Sequence, residues 1–188
     1  NNPERPEDGT HTITFSRELW IERDDFKVEP DKKFFRMYPG KETRLKGAYI
    51  LNCTGYKANE EGEVEEIYCT YDPESKAGTP GADRKVKGTI QWVSAEYGIN
   101  AEVRLYENIV DEEKGVYNKE DGSLNLNPNS LTVLDNCIVE PALVEAKAFD
   151  SFQFVRNGYF CVDCKDSTPE HLVFNRIVSL KSSFKINK

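Results

Sequence analysis

Hydrophobic residues recur at every second position in short runs along this chain, which is the period of a β-strand and not of a helix. The connector over residues 110–129 lacks any sustained apolar period, and no segment predicts a helix longer than about two turns. Strands at spacings of roughly ten residues are typical of β-barrels and sandwiches. The runs that predict strands are 43–53, 64–71, 85–93, 101–106, 130–141 and 173–180.

The clearest local signal is a β-hairpin over residues 152–163. Asn157-Gly158 separates two runs of aromatic and β-branched residues, and this dipeptide favours a type I′ turn. Alternation gives the hairpin one packing face, formed by Phe152, Phe154, Phe160 and Val162. Gln153 is therefore presented on the opposite face, and Arg156 stands at the end of the first arm, within reach of a ligand. A hairpin whose polar face is merely solvated has the same pattern.

Charge is distributed unevenly, although the formal net charge is -8. Residues 31–46 hold six basic and two acidic residues, a local net charge of +4 that leaves -12 for the rest of the chain. Such a local basic stripe suits a limited contact with RNA and not general wrapping of it. Arg44 and Lys46 would share one face of the predicted 43–53 strand, about 7 Å apart. An edge strand protected by basic residues is the alternative.

Several other classes of protein are poorly supported. Five cysteines are an odd number at irregular spacing, and a lone Cys161-Cys164 pair with two histidines completes neither a disulfide framework nor a zinc site. We predict no metal site and no catalytic residue, since a Ser-His triad spacing and a Gly-rich phosphate loop are both lacking. Without a long apolar run or signal sequence, the chain predicts a cytoplasmic protein that binds no membrane. Its polar start, N-N-P-E without a Met, suggests a fragment.

Five separated motifs carry a family resemblance. They are C-T-Y-D at 69–72, R-K-V-K-G-T-I-Q-W-V-S at 84–94, V-R-L-Y at 103–106, F-Q-F-V-R-N-G-Y-F-C-V-D at 152–163 and V-F-N-R-I-V-S-L at 173–180. In this order they resemble the C-terminal anticodon-binding region of the glutaminyl-tRNA synthetases. The resemblance implies an all-β fold of two β-barrels like those of ribosomal proteins that bind 5S RNA. The distal barrel, residues 31–110, would be inserted into a proximal barrel formed by residues 1–30 and 111–188.

The resemblance also implies which residues bind the anticodon. Gln153 and Arg156 match the pair that holds the middle uridine. The third-position guanine corresponds to Arg36, and the first base to Arg44 and Lys46, with Lys33 alongside. Three positions depart from the family pattern: Phe35 replaces a lysine, Lys46 an arginine and Gly47 an asparagine. At the third base the phenyl ring of Phe35 can stack in place of the lost cation. Lys46 keeps its charge without a planar fork, so we expect looser discrimination of the first base.

The implied partner is glutamine tRNA, with no binding of DNA, and the expected state is a monomer. The whole enzyme would be a glutamine-tRNA ligase that uses ATP with Mg²⁺, whereas the catalytic domain would be absent from this chain, which would hold no cofactor and be inactive. One alternative is the same region of an archaeal or eukaryotic-type glutamyl-tRNA synthetase, and another is a stand-alone RNA-binding barrel. A protein-interaction module using Tyr38, Tyr97 and Tyr117 is the third.

Overall fold

The regular structure of the chain consists of β-strands and short 3-10 turns. The computed structural model describes residues 5–111 and 113–180, so residues 1–4 of the polar start lie outside the described residues. Within the described residues the strands are β1 (Leu19–Ile21), β2 (Glu42–Leu45), β3 (Ile50–Ala58), β4 (Val64–Asp72), β5 (Thr89–Ile90), β6 (Trp92–Ser94), β7 (Ile99–Tyr106), β8 (Leu131–Val139), β9 (Ser151–Phe154), β10 (Gly158–Val162) and β11 (Leu172–Ser179). The all-β prediction is confirmed.

The 3-10 turns are the only helical structure in the described part of the chain. They cover Pro6–Asp8, Arg23–Asp25, Pro73–Ser75, Pro80–Asp83 and Pro141–Glu145. Four of the five carry a proline at the first or second position, where its missing N–H leaves no helical hydrogen bond unmade. No helix in these residues has the length and apolar character needed to cross a bilayer.

Contacts divide the chain into two compact units. Residues 14–96 form one unit, and residues 1–13 together with 97–188 form the other, so the second unit is made from both sides of the first. Strand β7 belongs to the second unit because it pairs with β8 and β11. These borders differ from the expected ones after residues 30 and 110. The assignment of a proximal barrel to 1–30 plus 111–188 and a distal barrel to 31–110 stays a prediction.

The 14–96 unit contains a four-stranded sheet in the order β4-β3-β2-β5 and a two-stranded pairing of β1 with β6. The pairing of β2 with β5 is parallel, and the other pairings are antiparallel. Alternate residues of β2 point inward, as a half-buried strand requires. The buried apolar side chains of this unit are Met37, Leu45, Ala48, Ile50, Leu51, Cys53, Ile90 and Trp92. Burial of each large one contributes about 1.5–3 kcal/mol.

A tight turn interrupts the segment 43–53, so the prediction of one continuous strand is wrong. Strand β2 ends at Leu45, and the chain reverses before β3 begins at Ile50. The Leu45 N–H donates to the Tyr49 carbonyl at 2.9 Å, and the Leu45 carbonyl accepts from the Ala48 N–H at 3.1 Å. Gly47 makes this turn possible because its φ is 71°, a region that glycine enters without steric cost.

The second unit is organised by a five-stranded sheet in the order β8-β7-β11-β10-β9. The central pairing of β7 with β11 is parallel, and the remaining pairings are antiparallel. Its core consists of Ala101, Val103, Val139, Phe160, Val162, Leu172 and Phe174. Phe174 is fully buried, and its ring centroid lies 5.2 Å from that of Phe154 and 6.2 Å from that of Phe152. The two phenylalanines of β9 thus attach the hairpin to the core.

The hairpin β9–β10 forms as predicted, but its turn does not. Gly158 pairs with Phe154 and already belongs to β10, so the loop comprises the three residues Val155–Asn157. The Asn157 N–H donates to the Phe154 carbonyl at 2.8 Å, and the positive φ, 68°, falls on Arg156. A type I′ turn on Asn157-Gly158 is therefore wrong. A Cβ at Gly158 would lie 2.5 Å from the Val178 carbonyl oxygen, so close packing against β11 explains the glycine.

Candidate nucleic-acid interface

Gln153 lies on the outer face of the hairpin, as the alternation predicts. Its side chain is exposed, while its neighbours Phe152 and Phe154 are half-buried against the core. Across the strand pair its partner is Tyr159, which is 44% exposed. A side-chain amide beside an exposed aromatic ring offers a hydrogen-bond donor, an acceptor and a stacking surface together. The outward position of Gln153 is confirmed, and its contact with a base stays a prediction.

Arg156 occupies the tip of the same hairpin in a left-handed backbone conformation. Such a conformation costs a non-glycine residue about 1–2 kcal/mol, so the surrounding hydrogen bonds of the turn must hold it. Its side chain is half-buried. The backbone therefore fixes the direction of the Arg156 Cα–Cβ bond at the tip of the hairpin. Strain of this kind is frequent at ligand-binding positions.

Lys33 belongs to a loop that Asp31 organises. The Asp31 carboxylate accepts a hydrogen bond from the Lys33 backbone N–H at 2.9 Å and from Lys27 Nζ at 3.0 Å. The hydrogen bond from Lys27, followed by that from the Lys33 N–H, lowers the pKa of Asp31. The aspartate is thereby kept ionised, and it tightens the turn after it. The Lys33 side chain is exposed, as a cation that meets a phosphate should be.

Arg36 has a structural role in addition to its predicted binding role. Its Nε lies 3.4 Å from Oδ1 of Asp25, a carboxylate with no solvent exposure, and its Nη1 donates to the Asp24 carbonyl at 2.8 Å. The guanidinium also lies over the ring of Phe34, 5.9 Å from the centroid. The side chain remains 40% exposed. Only the part of the guanidinium outside these contacts can meet a base.

Arg44 and Lys46 do not share a strand face, contrary to the prediction, because β2 ends between them. Arg44 is half-buried on β2, and its Nη2 donates to the Arg84 carbonyl at 2.7 Å. Lys46 lies in the turn after β2, where its side chain is exposed and its carbonyl accepts from Trp92 Nε1 at 3.0 Å. The Arg44 guanidinium is thus held by a hydrogen bond within the fold, whereas Lys46 extends from a turn whose backbone is anchored by Trp92.

The segment Arg84–Gly88 connects these groups, and sequence reasoning missed it. Residues 85–88 were expected to begin a strand, but the regular pairing begins only at Thr89. The Gly88 carbonyl accepts from the Arg44 N–H at 3.1 Å, and the Gly88 backbone packs directly against Phe35. Lys87 lies with Nζ 5.4 Å from the centroid of the Phe35 ring. The local run R-K-V-K was the available signal, since three cations in four residues is unusual for a buried strand.

The six predicted site residues therefore fall into two groups. Lys33, Arg36, Arg44 and Lys46 belong to the 14–96 unit, whereas Gln153 and Arg156 belong to the other. Within the 14–96 unit, Gly88 contacts the backbone beside Arg36 and binds the backbone of Arg44, which brings these two residues to one segment. Cations beside exposed aromatic rings are typical of surfaces that bind single-stranded RNA.

Comparisons with known families show the class of protein to which the chain belongs. Two profiles, both described as the anticodon-binding domain of class I tRNA synthetases (E and Q), match residues 1–72 and 89–163. The chain belongs to this family of anticodon-binding domains of class I synthetases. The resemblance noted in the motifs is confirmed.

The most similar relatives include several glutamine-tRNA ligases. That of Clostridium perfringens is 50% identical over 190 residues, which cover 99% of this chain and 34% of the relative. The Clostridioides difficile protein is 49% identical over 192 residues, with 100% and 34% covered. The Vibrio vulnificus protein is 47% identical over 184 residues, with 98% and 33% covered. The chain thus spans about a third of the length of the curated relatives it matches.

Proposed function

We propose that this chain is the anticodon-binding part of a glutamine-tRNA ligase and that it recognises the anticodon loop of glutamine tRNA. The observation that carries the proposal is an identity of 47–50% to three glutamine-tRNA ligases along nearly the whole chain. Single-stranded loops suit such recognition because their splayed bases expose both edges and faces to side chains. We place the whole protein in the cytoplasm as a monomer that binds neither DNA nor membrane.

The chemistry of charging belongs to other parts of such an enzyme. Activation of glutamine uses ATP with Mg²⁺, and the described residues contain no group of three or more His, Cys, Asp or Glu suited to hold a metal ion. We assign no catalytic step to the described residues of this chain. We expect the isolated chain to bind tRNA without charging it.

The hairpin residues are assigned to the middle base of the anticodon. The exposed Gln153 amide can donate to and accept from the edge of a uracil, which offers both kinds of group. Arg156 extends from the adjoining turn, where its guanidinium can bridge to the base or to its phosphate. The two side chains are only three residues apart on one rigid element, so they can contact one nucleotide together.

The 14–96 unit is assigned to the outer two bases. The exposed part of the Arg36 guanidinium suits guanine, whose O6 and N7 both accept hydrogen bonds. Arg44 and Lys46 are assigned to the first base, with Lys33 supplying charge beside them. Because Lys46 extends from a turn and presents a point charge, its contact selects for phosphate more than for a particular base.

The second candidate is the equivalent region of a glutamyl-tRNA synthetase. The observation that favours it is the family description, which covers both the E and the Q enzymes. The two candidates differ in the tRNA that binds. Preference of the whole enzyme for glutamate tRNA over glutamine tRNA would select the second.

The test of the hairpin assignment compares Arg156→Ala with Lys32→Ala in the whole enzyme, using tRNAs that differ only at the middle anticodon base. Arg156→Ala should cost about 1–3 kcal/mol with the cognate tRNA and much less with the variant tRNA, because a base contact is lost only where the right base is present. Lys32 is an exposed cation without an assigned base, so Lys32→Ala should weaken the binding of both tRNAs alike.

A conservative variant separates charge from geometry at this position. Arg156→Lys keeps one positive charge and the same left-handed backbone preference, but it loses the planar fork. It should behave like Arg156→Ala with the cognate tRNA if the fork binds the base. If Arg156→Ala weakens both tRNAs equally and Arg156→Lys restores them, the hairpin is an electrostatic contact and the base assignment is wrong.

A further inference from the structure

The segment Arg84–Gly88 is fixed at its first residue by strands on either side. Arg84 Nη1 donates to both carboxylate oxygens of Glu42, at 2.6 and 2.7 Å, and its Nη2 donates to Asp72 at 2.9 Å. The Arg84 carbonyl in turn accepts from Arg44. This guanidinium thus pairs with one carboxylate on β2 and one on β4, and it holds the segment against both strands. Hydrogen bonds between charged partners such as these are roughly twice as strong as neutral ones.

Gly88 fixes the other end of the segment. A Cβ at this position would lie 1.8 Å from the Phe35 carbonyl oxygen and 2.9 Å from its carbonyl carbon. Only a residue without a side chain can approach the Phe35 backbone so closely. The Gly88 carbonyl also accepts from the Arg44 N–H. Lys87 is therefore placed beside Phe35 by contacts of the neighbouring backbone.

Phe35 and Lys87 together expose an aromatic ring and a cation. Phe35 is 50% exposed, and the exposed Lys87 lies with Nζ over its ring at 5.4 Å from the centroid. Within the described part of the chain, Lys87 forms no ion pair with a carboxylate. An exposed cation–π contact contributes only about 0.5–1 kcal/mol, which does not account for a phenylalanine kept in water. A base that stacks on such a ring gains about 1–3 kcal/mol.

We propose that Phe35 and Lys87 form a further subsite for one unpaired nucleotide of the bound RNA, in which the phenyl ring stacks on the base and the ammonium group binds its phosphate. The proposal rests on the proposed function, because it takes the ligand to be the loop of a tRNA. The subsite is contiguous with two predicted contacts: Arg36 follows Phe35 in the chain, and Arg44 binds the backbone of Gly88. A nucleotide has both features that the pair recognises, a π-face and a negative charge.

The experiment measures binding of glutamine tRNA to the whole enzyme carrying Phe35→Leu, Lys87→Gln or both. Phe35→Leu should weaken binding about 5- to 20-fold, while Phe35→Tyr should retain it, because only the aromatic face is needed. Lys87→Gln should weaken binding about 3- to 10-fold and make the slope of log K against log salt shallower by about 0.7 to 1. The double variant should lose less than the product of the two single losses, since both groups hold one nucleotide.

Lys85→Gln is the matched control, because Lys85 is an exposed cation in the same segment and the cation–π contacts found among the described residues do not include it. A smaller loss for Lys85→Gln than for Lys87→Gln supports the subsite. Equal losses at the two lysines, or unchanged binding in Phe35→Leu, overturn it. Arg156→Ala tested in parallel separates the two proposals: if Arg156→Ala weakens binding while Phe35→Leu does not, only the subsite is wrong. If neither does, the hairpin assignment is wrong as well, whereas only a failure of the unaltered enzyme to bind glutamine tRNA contradicts the proposed function.

Discussion

Gly88 gives the sharpest test of how the 14–96 unit positions its cations. Replacement by alanine introduces a Cβ 1.8 Å from the Phe35 carbonyl oxygen, at a φ of 101° that L-residues rarely adopt. The backbone strain alone costs about 1–2 kcal/mol. Because the contact is with backbone on both sides, the segment must move by more than an ångström, and overpacking of this kind costs about 1–3 kcal/mol more.

The movement should also break hydrogen bonds that Arg44 makes with this segment. The Arg44 N–H donates to Gly88 at 3.1 Å and its Nη2 donates to Arg84 at 2.7 Å. Each such bond contributes about 1 kcal/mol net. Together with the strain and the overpacking, we therefore expect Gly88→Ala to lower the free energy of unfolding of this unit by about 4–7 kcal/mol.

Gly62→Ala is the matched control. Gly62 belongs to the same unit and has a φ of 85°, but a Cβ added there would meet no atom of the described residues within 4 Å apart from its chain neighbours. Its replacement should therefore cost only the backbone strain of about 1–2 kcal/mol. The difference between the two variants isolates the clash with Phe35, since both substitutions add one methyl group at a positive φ.

Urea unfolding followed by tryptophan fluorescence measures this difference in the right unit. The chain has two tryptophans, Trp20 and Trp92, and both belong to residues 14–96. Trp92 is buried, so its emission should shift when this unit unfolds. If Gly88→Ala loses no more stability than Gly62→Ala, the close packing of the segment against Phe35 is wrong.

Three further predictions concern acid stability, thiol reactivity and salt. Hydrogen bonds from the Asp166 N–H, the Asn175 amide and the Lys165 N–H lower the pKa of Asp163 to about 2. The stabilisation of the folded state by ionised Asp163 should therefore be complete above pH ~4 and be lost as the pH falls to ~2. Asp163→Asn should lower the free energy of unfolding by about 2 kcal/mol at pH 7 and flatten this dependence on pH when unfolding is followed by circular dichroism. Desolvation, and then the Cys53 thiol, raise the pKa of Cys69 to about 12. Cys69 and Cys164 are both exposed, so the raised pKa alone should make iodoacetamide at pH 8 modify Cys164 well before Cys69, and equal rates by mass spectrometry would contradict this. Binding of glutamine tRNA should show a log K against log salt slope of about -2 to -3, from three or four phosphate contacts at ~0.7 each, and a slope of about -5 or steeper would exclude a local basic stripe.

The alternation of apolar and polar residues correctly predicted which side chains of a strand face inward and where several strands lie. Gln153 is exposed and Phe152 and Phe154 pack inward because residues of opposite parity in one strand face opposite sides. The strands β4, β7, β8 and β11 fall where the apolar period placed them, and residues 110–129 form no strand in their described part. These features need no knowledge of distant contacts. They follow from the geometry of the extended backbone.

Features that depend on non-local contacts were wrong or missed. The turn at Lys46-Gly47 interrupts an unbroken alternating run, and only the pairing of β2 with β3 reveals it. The hairpin turn is displaced from Asn157-Gly158 because Gly158 is needed against Val178, which lies twenty residues further along the chain. The position of the segment Arg84–Gly88 is determined by contacts with Phe35, Glu42 and Arg44, which are distant in the sequence.

Arg36 shows why the predicted cations are not equivalent as tests of RNA binding. Its guanidinium lies beside the fully buried Asp25 carboxylate, so truncation of Arg36 removes a positive charge from beside a buried negative one and destabilises the fold. A loss of tRNA affinity in Arg36→Ala would therefore combine a lost base contact with a disturbed fold. Lys33 and Lys46 have exposed side chains, so their truncation leaves the core intact. Affinity lost at these two lysines reports on the RNA, whereas at Arg36 it must first be corrected for stability.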